Sequence, residues 1–276
     1  MFDMQAYLQA VNALKSTKQR VFTNSFLSAE ELKGISELER SILVRLDHAV
    51  CLLWPEDTYT RLQYHASSME EYAAIRREIA ESGLGYPCIA DLVGKDAQVL
   101  PQVQAMEKVG FVRHARYSRW RTANVDRTFQ EYAQAENVRC AKEEDAEEIS
   151  QIISDEFDHY TSHLPDVDTI RETCRQGLVV CSRIEGKIVG VMGSQDLGTK
   201  AKYLNYIAIK DAYKNSGLGI ALHESTFDLF PSDTVYTSWT NDNNRKINRI
   251  NTHYGFVRDG LVDYIMKDEG VHSNEK

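Results

Sequence analysis

A chain of 276 residues is long for one compact domain and comfortable for two of about 130 residues each. With 42% hydrophobic residues, 26% charged residues and a net charge of −9, it has the composition of a globular protein. It lacks both the basic excess that a nucleic-acid backbone needs and any apolar run near the roughly 18 residues of a membrane span, so neither partner is expected.

The chain opens without a charged-apolar-small leader, and its five cysteines show no paired spacing, so the expected compartment is the cytoplasm. Helix-forming composition runs over residues 4–15 and 28–40, the second opened by Ser28 and Glu31 in capping-box order. Residues 50–54 and 60–65 flank the turn-forming Pro55-Glu-Asp-Thr and predict a hairpin. A helix over 68–82 stops at Gly83 and Gly85, a strand covers 86–93, a helix covers 96–109, and Gly110-Phe-Val-Arg113 leads into a further strand ending near Arg121. That tetrapeptide recurs as Gly255-Phe-Val-Arg258, about one domain length later and again between a helix and a strand, which predicts two related halves. Residues 122–136 are polar and predict the link between them.

The second half predicts a strand at 137–141, an amphipathic helix at 144–153, a helix at 168–176, and a hairpin of 179–183 with 188–192. Next comes the stretch on which the rest depends, Tyr203 to Glu224. It begins with alternating bulky residues, turns through Lys214-Asn-Ser-Gly-Leu-Gly219, and resumes with apolar residues at helical spacing. A strand, a glycine loop and a helix in that order place unpaired N–H groups where the backbone approaches a ligand closely, which suits phosphate. A strand at 235–239 and a helix at 243–254 follow. His223 and Glu224 are expected on a solvent-facing side of the helix.

The glycine loop resembles the Arg/Gln-x-x-Gly-x-Gly/Ala motif of the GNAT family of acyl-CoA N-acyltransferases, with Lys214 in the first position and Gly217 and Gly219 as the glycines. The succession of elements over roughly residues 137–268 fits that family as well. The resemblance implies an α/β fold of the α+β type, with two GNAT-like domains at 1–127 and 137–276 and a linker at 128–136. Each domain would be a mixed, mainly antiparallel central sheet flanked by helices. The first half has Ser67-Ser-Met-Glu-Glu71 where a phosphate loop belongs, and its acids would repel an anion, so it is expected to be a degenerate copy that holds no CoA.

What the resemblance implies for the second half is an N-acetyltransferase that binds acetyl-CoA as co-substrate and acylates a small-molecule primary amine in a ternary complex. The phosphates would rest on backbone amides of Asn215, Ser216, Gly217, Leu218 and Gly219, with Lys214 beside them. The pantetheine arm would lie along Ile207, Ala208 and Ile209. Asn244 stands where the family often has a CoA-contacting asparagine, although the start of a helix favours asparagine in any case. The family's thiolate-protonating tyrosine position is Asn251 here, which leaves Tyr254, three residues on, as the substitute acid, or solvent. For the base and acceptor pocket the sequence offers His159, in Asp158-His-Tyr-Thr-Ser-His163, and Asn205 on the central strand. No metal is expected. The missing tyrosine keeps one alternative open, a non-catalytic acyl-CoA-binding or regulatory module, and a homodimer also stays open.

Overall fold

The computed structural model describes residues 2–17, 20–85, 87–126, 137–161 and 163–270. The expected linker at 128–136, Tyr86 at the expected start of a strand, and Ser162 lie outside them. The chain forms two compact units, one of residues 1–116 with 261–276 and one of residues 117–260.

In the first unit, α1 (Met4–Ser16) is capped by Asp3 and α2 (Ala29–Glu37) by the Ser28–Glu31 box. Between them lies a two-residue strand, β1 (Phe22–Thr23). The sheet continues through β2 (Ile42–Arg45), β3 (Ala49–Pro55), β4 (Thr60–Ala66) and β5 (Cys88–Lys95). Alternate residues of β3 serve opposite faces: Val50, Leu52 and Trp54 pack with α1 and α2, while Cys51 and Leu53 pack with α3 (Tyr72–Glu81) and α4 (Asp96–Lys108). This period of two, with both faces covered, is why the strand reads as a continuous apolar run.

In the second unit, β7 (Val138–Cys140), β8 (Val179–Ile184), β9 (Lys187–Asp196) and β10 (Ala201–Ile209) form an antiparallel series. β10 then pairs in parallel with β11 (Val235–Asn241). α5 (Ala146–Glu156) and α6 (Val167–Arg175) cover one face, and α7 (Leu218–Asp228) and α8 (Arg245–His253) the other. Each unit therefore has a mainly antiparallel mixed sheet with helices on both faces. Within the units β4–β5 and β10–β11 pair in parallel, and each is bridged by a crossover helix, α3 or α7.

Two long strands are divided between the units. Of β6 (Val112–Thr122), residues 117–122 pair with β11. Of β12 (Val257–Asp268), residues 261–268 pair with β5 in the first unit, although they follow the second half in sequence. The repeated tetrapeptide has one conformation in both copies. Gly110 and Gly255 sit at φ +105° and +77°, just past α4 and α8. The next amide in each, that of Phe111 or Phe256, reaches back to the carbonyl of Met106 or Asn251 at 3.1 and 2.9 Å, and both phenylalanines are buried. This left-handed helix stop is what requires glycine there.

Among the described residues no helix is long and apolar enough to cross a membrane.

Candidate active site

β10 is irregular where the site forms. Its pairing with β9 shifts between Leu204 and Tyr206, leaving Asn205 as the extra residue of a bulge. Leu204 and Ile207 consequently face the α7 side, whereas Tyr206 and Ala208 face α5 and α6. The simple alternation that would put Asn205 on the face of Ile207 is broken at Asn205 itself. At the same point β10 leaves β11, since their parallel register ends at Leu204 and Ser238. The wedge between the strands opens into a cavity of about 1040 Å³.

The cavity leads to the start of α7. Asn215 and Gly217 hold left-handed backbone, at φ +69° and +85°, and Gly217 is the N-cap of a helix that no side chain caps. Among the described residues the first-turn N–H groups of α7 therefore lack a side-chain cap at the cavity mouth, the arrangement that binds an anion. Lys214 beside them donates to Asp211 and Glu156, each at 2.6 Å, and those bonds raise its pKa, so the ammonium stays charged. Sequence reasoning missed a second set of cations. Arg245, Lys246 and Arg249 on the first turns of α8 also line the cavity, and the Lys246 Nζ donates to the Asn215 side chain at 2.9 Å. Their clustering immediately after Asn244 was the signal available in the sequence.

Of the residues expected at the site, Asn205, Ile207, Ala208, Ile209, Lys214, Asn215, Gly217, Gly219 and Asn244 all line this cavity. Asn244 does so while also capping α8 through Ile247 N at 3.2 Å. Ser216 and Leu218 do not. The Ser216 hydroxyl turns back to the Tyr213 carbonyl at 2.7 Å, and Leu218 is buried against β9, where Gly190 makes room for it.

Asn205 is on the wall, but the other two expected catalytic residues, Tyr254 and His159, are not. Tyr254 is fully buried, stacked on His223 at 5.6 Å and edge-on to Phe227 at 5.1 Å, because three residues of helix turn it from the cavity into the core. Asn251 keeps the wall position and donates its amide to the Thr240 hydroxyl at 3.0 Å. His159 is exposed. The turn that carries it is pinned by Tyr160 N to the Asp158 carboxylate at 2.9 Å and by the Tyr117 hydroxyl donating to Thr161 at 2.8 Å, which presents Asp158 and Thr161 to the cavity instead.

His223 and Glu224 are corrected as well. Both are buried, because α7 is enclosed on nearly all sides rather than half-exposed. His223 touches the cavity, and its Nδ1–H donates to the Gly219 carbonyl at 2.7 Å. Burial pushes its pKa down to about 4, against the smaller upward effect of that bond, so the ring is neutral near pH 7 and too weak a base to serve an amine. The Ser238 hydroxyl, on the cavity wall and buried, has no hydrogen-bond partner among the described residues. An orphaned donor of this kind fits a ligand with amide acceptors.

No protein-family model matches the chain, and no curated protein matches it in sequence. Solved structures do match its fold. A GCN5-related N-acetyltransferase from Sphaerobacter thermophilus aligns with TM-score 0.62 at 11% identity, over 88% of this chain and 86% of that one. Another from Kribbella flavida gives 0.55 at 14% identity over 96% and 97%. A tandem GNAT protein from the clavulanic acid biosynthesis pathway gives 0.55 at 13% identity over 96% and 94%. The mixed, mostly antiparallel sheets flanked by helices are thus the fold of GCN5-related N-acetyltransferases.

Proposed function

We propose that the second unit transfers an acyl group, acetyl in the simplest case, from acyl-CoA to a primary amine in a ternary complex. The observation that carries this reading is the uncapped N-terminus of α7, which opens onto a cavity running through the wedge between β10 and β11. The wedge suits an extended arm, and the helix end suits its phosphates.

In this reading the amides from Asn215 to Gly219 bind the pyrophosphate, and Lys246, Arg245 and Arg249 balance the remaining negative charge. Backbone groups of residues 205–209, released from β11, hold the amide-bearing arm, with Ser238 as a further donor. An N–H beside the bulge at Asn205 steadies the oxyanion as the amine nitrogen bonds to the thioester carbon. The C–S bond then breaks, the nitrogen loses its proton to water, and water protonates the thiolate, since the amide of Asn251 cannot. Asp158, with Thr161 and Tyr117, forms the rim by which the amine enters. The five free cysteines fit work in the cytoplasm.

Calorimetric titration with acetyl-CoA tests the reading. One site is expected in this unit, and it should vanish in Gly217→Asp/Gly219→Asp, which adds side chains and negative charge where phosphates would lie. Unaltered affinity in that folded variant would reject the site. Binding without thiol release across a broad amine panel would favour a non-catalytic acyl-CoA-binding module.

A further inference from the structure

The first unit contains a second wedge of the same kind, and the chain fills it from within. β4 pairs in parallel with β5 only at Thr60 and Arg61. Beyond that point the edge of β4 that β5 leaves is covered by residues 22–25. Phe22 and Thr23 pair antiparallel with Ala66 and His65. The Asn24 side chain donates to the Leu62 carbonyl at 3.0 Å and accepts from the Tyr64 amide at 2.7 Å, while the Thr23 hydroxyl donates to the Tyr64 carbonyl at 2.8 Å. Asn24 is buried, and Ser25 anchors the end of the segment through Gln63 at 2.7 Å.

We propose that residues 22–25 are a built-in substitute for a ligand arm, which closes this slot and leaves the chain with a single acyl-CoA site. Asn24 offers one amide donor and one amide acceptor to consecutive groups of a strand edge, the pairing an amide of an extended ligand would make. In the second unit the corresponding stretch of β10, past Leu204, borders the cavity instead. The phosphate end of the first slot is closed too. In place of a glycine loop, Ser68 caps a short 3₁₀ turn, Met69–Glu71, whose Glu70 and Glu71 would repel a phosphate. The nature of the excluded ligand rests on the acyl-CoA reading of the second unit; the filling of the slot does not.

Hydrogen exchange at the Tyr64 amide, read together with the acetyl-CoA stoichiometry by native mass spectrometry, tests the proposal. The wild type should bind at most one equivalent and protect Tyr64. Asn24→Ala should speed Tyr64 exchange by about 100-fold or more, while changing exchange at 203–209 and acetyl-CoA affinity less than about twofold. Should that variant fail to fold, Thr23→Val keeps the volume and removes the bonds to the Tyr64 carbonyl and from the Ser25 amide, so Ser25 should exchange faster. Two equivalents bound by the wild type, or exchange at Tyr64 and Ser25 indifferent to these changes, would overturn it. Absence of any acetyl-CoA binding would instead reject the reading of the second unit, and Tyr64 exchange would still decide the fate of the strap.

Discussion

His223 couples the core of the second unit to pH. Its folded pKa of about 4 lies below the ordinary value of 6.5, so between those values the unfolded chain binds a proton that the folded chain does not. The stabilisation is therefore complete above about pH 6.5 and is lost as pH falls toward 4. A shift of this size corresponds to about 3 kcal/mol at the acid end. Urea unfolding at pH 7 and pH 4.5 should show His223→Gln losing less stability over that interval than the wild type, and an identical loss would rule the histidine out. His65 in the first unit is pushed down to about 4 by its own burial and the nearby Lys15 charge, so wild type and variant must be compared rather than either read alone. Lys214 calls for a smaller effect. Its charge is already shared between Asp211 and Glu156, and exposed pairs of this kind contribute only about 0–1 kcal/mol. Lys214→Ala should weaken acetyl-CoA less than about tenfold by calorimetry, and a complete loss would show that the side chain itself clamps the phosphates.

α8 decides which residue faces the wedge. Asn251 reaches Thr240 from the cavity side, and Tyr254, one turn on, joins His223 and Phe227 in the core. Asn251→Ala should destabilise by about 1 kcal/mol through the lost hydrogen bond and lower the turnover number less than about threefold, as steady-state thiol release would show. A larger fall at unchanged KM would make the amide part of the chemistry. The loop from Lys214 to Gly219 was legible in the sequence because Gly217 answers a backbone demand, a left-handed turn, which few other residues meet. The hairpins and the Ser28 cap were legible for similar reasons, since turn chemistry and capping are local. The orientation of Tyr254 was not, because 100° per residue fixes relative faces without saying which face meets the sheet. Nor was the bulge at Asn205, which leaves Tyr203 to Ile209 alternating in sequence while shifting its faces in space. Burial of His223 and Glu224 likewise depends on partners far along the chain.

At the scale of the molecule, the same non-locality governs the last strand. The pattern of β12 suits any sheet edge, and nothing in it states that residues 261–268 belong beside β5. There Val262, Tyr264 and Met266 are buried in the core of the first unit, Tyr264 donates to Asp96 at 2.8 Å, and Arg76 holds the buried Asp268 through bonds of 2.8 and 3.1 Å. Ending the chain after Gly260 removes all of these and leaves an open edge on β5. Burial of three such side chains stabilises by about 5–8 kcal/mol, comparable to the whole stability of a typical domain. The truncated chain is therefore expected to lose the first unit's cooperative transition in calorimetry, and limited proteolysis should degrade residues 1–116. Every residue lining the cavity proposed to take acyl-CoA lies between Tyr117 and Asn251, so on that proposal a protease-resistant product covering the second unit should still bind acetyl-CoA. Survival of an intact, cooperatively melting first unit would show that its sheet does not need the strand supplied from the far end of the sequence.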